Sequence, residues 1–137
     1  MATLANVLAP AQPDLGPTVA TTGATQTVVA RFRTEPDTAY FVEAKVVAVR
    51  TSDYAAAGTW WRQGCFLNDG GSLAVVGAIR TVVTDNETTA GYDVTLDVAT
   101  EDVDDNGVNE KTIQVLVTGA AATAVTWRAV VDIQKIQ

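Results

Sequence analysis

Val125-Thr126-Trp127-Arg128-Ala129-Val130-Val131-Asp132-Ile133 is the stretch that decides the fold class. Val125, Trp127, Ala129, Val131 and Ile133 share one parity, while Thr126, Arg128, Asp132 and the following Gln134 share the other. A β-strand sends successive side chains to opposite faces, so this alternation gives one apolar face and one largely polar face, which a helix cannot do. The spacing predicts a strand over residues 124–135 with the Trp127 face inward. A small-residue turn, Val117-Thr118-Gly119, lies ahead of it.

Working back from that strand, β-branched and aromatic runs predict strands over residues 27–33, 39–50, 59–67, 72–84, 92–99 and 111–117. Val94, Leu96 and Val98 alternate on one of these, and Ile113, Val115 and Val117 on another, so both read as half-buried. The breaks carry turn chemistry: Glu35-Pro36-Asp37, Asn68-Asp69-Gly70-Gly71, Asp85-Asn86-Glu87 and Asp105-Asn106-Gly107. Asn68 to Gly71 is the strongest hairpin signal, because glycine supplies the positive φ of a tight turn. Tyr54-Ala55-Ala56-Ala57-Gly58 holds helix formers but is too short for a helix of its own. The expected architecture is all-β, an antiparallel β-sandwich of about seven strands over residues 25–137, with a flattened barrel as the variant.

A chain of 137 residues with 47% hydrophobic residues fills one domain without disulfides or a structural metal. Its net charge of -7 and nine scattered basic residues argue against nucleic acid or an anionic membrane as partner. There is no histidine, which removes the Ser-His-Asp triad, the Cys-His dyad and every His-containing zinc site. Cys65, the single cysteine, has no intrachain partner and, between Gly64 and Phe66, reads as a small buried hydrophobe of a strand. No catalytic residues emerge, and the chain does not read as an enzyme.

Residues 1–24 differ from the rest. They hold Pro10, Pro13 and Pro17, three of the four prolines, and a single charged side chain, Asp14. No signal peptide and no apolar run of about 18 residues is present. Proline spacing favours an extended N-terminal arm rather than a helix. The arm reads either as a disordered tail or as a segment docked on a neighbouring subunit through Leu4, Val7, Leu8 and Leu15.

Two further features invite chemistry. Asp102-Val103-Asp104-Asp105-Asn106-Gly107 opens like a calcium loop, with Asp102, Asp104, Asn106 and Glu110 as candidate oxygen ligands. The position that should supply a bidentate Glu is Ile113, inside a predicted strand, so the stretch reads first as a solvated acidic hairpin tip, without cofactor. Trp60, Trp61 and Tyr92 have the rings to stack on sugars. Trp60 and Trp61 are adjacent in a strand, so one is expected in the core and the other outward or at an interface.

Ala39-Tyr40-Phe41-Val42-Glu43-Ala44-Lys45-Val46-Val47-Ala48, then Ala56-Ala57-Gly58-Thr59-Trp60-Trp61-Arg62, Cys65-Phe66, Gly77, Val117-Thr118-Gly119 and Val125-Thr126-Trp127-Arg128-Ala129 follow one another in an order that carries a resemblance. Over residues 39–133 the chain resembles a small β domain of tailed bacteriophage and prophage virion proteins. The resemblance implies a non-enzymatic structural protein, often trimeric, made in the host cytoplasm and mounted on the virion. A short chain with one arm fits a capsid decoration (cement) protein on the head exterior, with the major capsid protein and its own copies as partners. The alternative is a tail-fibre or head-fibre tip that binds host surface glycan.

Overall fold

Two long strands, β3 (Thr38–Arg50) and β4 (Ala57–Asp69), form the centre of the molecule. Their runs of β-branched and aromatic residues favour extended backbone, and they pair antiparallel without a break from Thr38↔Asn68 to Val49↔Ala57. The computed structural model describes residues 16–88 and 91–137. The remaining elements are β1 (Thr18–Thr21), β2 (Thr27–Arg33), β5 (Ser72–Thr81), β6 (Asn86–Glu87), β7 (Asp93–Glu101), β8 (Glu110–Thr118) and β9 (Val125–Ile136). None of the described residues forms a helix, so none crosses a membrane as one.

The strands divide into two antiparallel sheets. The larger runs β1-β9-β3-β4-β5, with β6 attached to β4, and the smaller runs β2-β8-β7. They pack face to face as a β-sandwich. The larger sheet contributes Val42, Val46, Trp60, Phe66, Val125 and Trp127 to the core, and the smaller contributes Val94, Leu96, Ile113, Val115 and Val117. Trp127 sits between Trp60 and Tyr92 in tilted ring contacts, with centroids 5.3 and 5.7 Å away. Tyr92 is therefore a core residue and presents no ring to a sugar.

All seven predicted strands are present, and the structure adds the short β1 and β6. The Gly70-Gly71 hairpin joins β4 to β5 with φ of 59° and 94°, and the buried Asn68 carboxamide accepts from Gly71 N–H at 2.9 Å. Tyr54 lies in the β3–β4 turn at φ 55°, held by Asp53, so no helix begins there. β8 departs from its half-buried reading: Thr112, Gln114 and Leu116 are covered as well as Ile113, Val115 and Val117, because β8 is flanked on both sides by β2 and β7. Ile133 also departs from expectation, being 43% exposed. Among the described residues β1 accompanies β9 only from Val125 to Arg128, which leaves the far half of β9 as an open sheet edge there.

Part of the expected arm is a strand of the domain. Thr18–Thr21 pairs with β9, and Thr21 Oγ1 accepts the indole N–H of buried Trp127 at 2.9 Å. Gly16, at φ 94°, closes this segment against β9. A Cβ there would stand 1.9 Å from the Ala129 carbonyl oxygen, so only glycine fits. Leu4, Val7, Leu8 and Leu15 lie outside the described residues.

Candidate interaction surface

Strand parity puts the odd-numbered residues of β3 and β4 on the outer face of the larger sheet, opposite the smaller sheet. Cross-strand register then arranges them in rows. Val130, Lys45 and Trp61 form one row, and Arg128, Val47 and Thr59 the next. Asp132, Glu43, Gln63 and Arg80 form a polar belt. Beyond the belt come Gln134, Phe41, Cys65 and Val76, then Ile136, Ala39, Leu67 and Ala74. The outer face is thus two apolar patches either side of a charged stripe.

The first patch is concave. Val47, Trp61, Val83 and Val130 line a groove of about 480 Å³ whose charged lining residues, among those described, are Lys45 and Arg128. Val47, Val83 and Val130 are 49%, 53% and 44% exposed, unusual for aliphatic side chains on one surface of a monomer. The Lys45 ammonium lies 4.6 Å from the Trp61 ring centroid, a cation–π contact that covers one face of the indole. Among the described residues, Trp61 Nε1 and Arg128 Nε are buried donors with no hydrogen-bond partner. Such donors are costly to leave unpaired. Trp60, its neighbour in the chain, is 2% exposed in the core, so Trp61 alone of the pair reaches the surface.

The second patch holds Phe41, Leu67, Val76 and Ile136, all more than two-fifths exposed, around Cys65. Cys65 is exposed, which corrects its reading as a buried hydrophobe. It shares the parity of Trp61 on an unbroken strand and must face the same way. Between the patches, Gln63 Nε2 donates to Glu43 at 2.5 Å, fixing the polar belt across β3 and β4.

The acidic loop is elsewhere, between β7 and β8, and its oxygens are already used. Asp102 accepts from Asn106 N–H at 3.1 Å and Gly107 N–H at 2.7 Å. Desolvation pushes this carboxyl up but is outweighed by the Gly107 and Asn106 donors and by Asp104, which leave it below the ordinary carboxylate value. Asp104 takes Arg33 Nη2 at 2.9 Å, and Glu110 pairs with Arg33 Nε. Asn106 spends its side chain on Asp104 and on Val108 N–H. Among the described residues, no three Cys, Asp or Glu side chains are grouped to hold a metal ion.

One charged cluster is internal. Arg62 points inward from β4, its side chain 7% exposed, and crosses to the smaller sheet. Its Nε donates to the Val94 carbonyl at 2.8 Å, and its two terminal nitrogens grip Asp85 at 2.6 and 2.8 Å. Asp93 lies 3.7 Å away. Glu87 sits close by with its carboxyl pushed up, first by burial and then by the charge of Asp85. Arg62 thus ties the larger sheet to β7 of the smaller one through the Val94 carbonyl and Asp93, with Asp85 held against it. No family model, curated protein or solved structure matches this chain.

Proposed function

We propose that the chain is a non-enzymatic structural protein of a tailed-phage particle, a capsid decoration (cement) protein on the head exterior. It would be made in the host cytoplasm and assemble as a trimer against the major capsid protein. The observation that carries this reading is the outer face of the larger sheet: two exposed apolar patches on a rigid, continuous surface. Faces of that composition are what subunit contacts bury. Burial there is non-directional and grows with apolar area, so many modest contacts around a shell add to a strong restraint. The residue order that resembles phage virion β domains supplies the particle.

The glycan-binding alternative draws less support. Lys45 covers one face of Trp61, and Trp60 and Tyr92 are in the core. The test is the copy number of this chain in purified particles, by quantitative mass spectrometry against the major capsid protein. Near-stoichiometric copies are expected, and a few copies per particle would overturn the decoration reading. Cys65 gives a second readout from within the proposed contact: its thiol should react freely in the isolated chain and be protected on the particle.

A further inference from the structure

We propose that the segment Pro10-Ala11-Gln12-Pro13-Asp14 seats in the Trp61 groove of its own domain. This goes beyond the particle reading and rests on it only for what residues 1–9 then reach. The chain before Thr18 leaves β9 at Gly16, which packs against the Ala129 carbonyl and the Val130 backbone. Val130 is a lip of the groove. Trp61 stands two strands further in, across Lys45, about 10 Å away at the spacing of strands in a sheet. Gly16 itself lies one strand outside Val130, so the indole is three strands, about 14 Å, from Gly16; five residues of extended, proline-constrained chain cover about 15 Å and bring Ala11, between Pro10 and Pro13, beside the indole.

The chemistry matches position by position. The groove is aliphatic and aromatic with two basic side chains and no acid, and Asp14 is the one charged side chain in residues 1–15. Two extended residues, about 6 Å, would set Asp14 over Val130, which Lys45 and Arg128 flank. Pro10 and Pro13 hold a P-x-x-P spacing. Such segments stay extended at little entropic cost and present bare carbonyls to aromatic grooves whose indole N–H donates to them. Among the described residues lining the groove, Trp60 Nε1, Trp61 Nε1 and Arg128 Nε are buried donors without partners. Seated in this way, the segment aims residues 1–9 across the sheet, with Leu4, Val7 and Leu8 free to engage a neighbour.

The full chain carries its own probe site, since Cys65 is its single cysteine and lies on the same outer face of β4 as Trp61. With a nitroxide on Cys65 of isotopically labelled chain, the amide signals of Ala11, Gln12, Asp14 and Leu15 should be broadened. Asp14→Lys, which cannot disturb the domain core, should abolish that broadening, as should Trp61→Ala with the signals of residues 16–137 otherwise preserved. A mixture of labelled Cys65→Ser chain with unlabelled nitroxide-bearing chain should show none. Absence of broadening within one chain, its survival in Asp14→Lys, or its appearance only in the mixture would each overturn the assignment, the last by giving the groove to a neighbouring copy. Particle copy number is read independently, so the two proposals fail separately.

Discussion

Removing the N-terminal segment has two very different outcomes depending on where the cut falls. A chain starting at Gly16 keeps β1 and its pairing with β9. A chain starting at Thr25 loses β1, and with it the one acceptor of the buried Trp127 indole N–H among the described residues. Trp127 is fully buried between Trp60 and Tyr92, so no water replaces Thr21 Oγ1 without opening the core. An orphaned buried donor costs about 1–3 kcal/mol. Val19, packed against the core, adds about 1 kcal/mol for a half-buried aliphatic side chain. The net worth of the β1 ladder bonds is offset by the backbone entropy regained when four residues are released.

The difference between the two truncations is therefore about 3 kcal/mol. For a domain of this size that is a fall of about 10 °C in melting temperature, taking about 3–4 °C per kcal/mol. The assay is a thermal melt of both truncations by near-ultraviolet circular dichroism, backed by urea midpoints at unchanged slope. Thr21→Val, which keeps the strand and removes only the acceptor, should account for about half of the loss. Truncations that melt within about 2 °C of each other would refute the role given to β1. In a test of the proposed particle contact, the cut at Gly16 is the one of the two that keeps the described fold whole.

Other expectations follow from the ion pairs and loops. Arg62→Met should cost about 3 kcal/mol in urea titrations, since it strands Asp85 and the Val94 carbonyl between the sheets, and Arg62→Lys should recover little because an ammonium cannot reproduce the fork. Glu87 has its carboxyl raised above the ordinary 4.5 by burial, so the folded state holds that proton more tightly than the unfolded chain does. Its contribution is therefore most favourable below pH of about 4.5 and declines as pH rises through the folded value, and Glu87→Gln should flatten that part of the stability profile. Asp53 and Asp102 act in the opposite sense and lower down, their depressed carboxyls losing stability as pH falls below 3.8. Calcium or a chelator should leave the melting temperature within about 1 °C, because Arg33 and the loop backbone already occupy the oxygens of Asp102, Asp104 and Glu110.

The seven long strands were legible because β-branched runs and glycine or Asx turns are local signals. β1 and β6 were not, since four and two residues carry no period and owe their conformation to partners far along the chain. Alternation told which face of a strand is apolar without telling which sheet it joins. Ile133 illustrates the gap: its parity is that of Trp127, yet β1 stops short of it and leaves it at an open edge. Cys65 was recoverable by the same rule, because parity with Trp61 on an unbroken strand places both outward.

The outer face, too, had left a mark in the sequence. Ala39-Tyr40-Phe41-Val42 and Val46-Val47-Ala48-Val49 are apolar on both parities, a pattern of strands covered on two sides. The smaller sheet covers only one side of β3, reaching Tyr40, Val42, Val46 and Ala48, and leaves Phe41 and Val47 exposed at 42% and 49%. Among the described residues no layer covers the Phe41 and Val47 face of this central strand. The polar belt of Glu43, Gln63 and Arg80 divides that face into two apolar patches either side of a charged stripe. Residues 10–14, with one acid near their root and prolines holding them extended, match the Trp61 side of that stripe. The Phe41 side, with Leu67, Val76 and Ile136, stays exposed among the described residues.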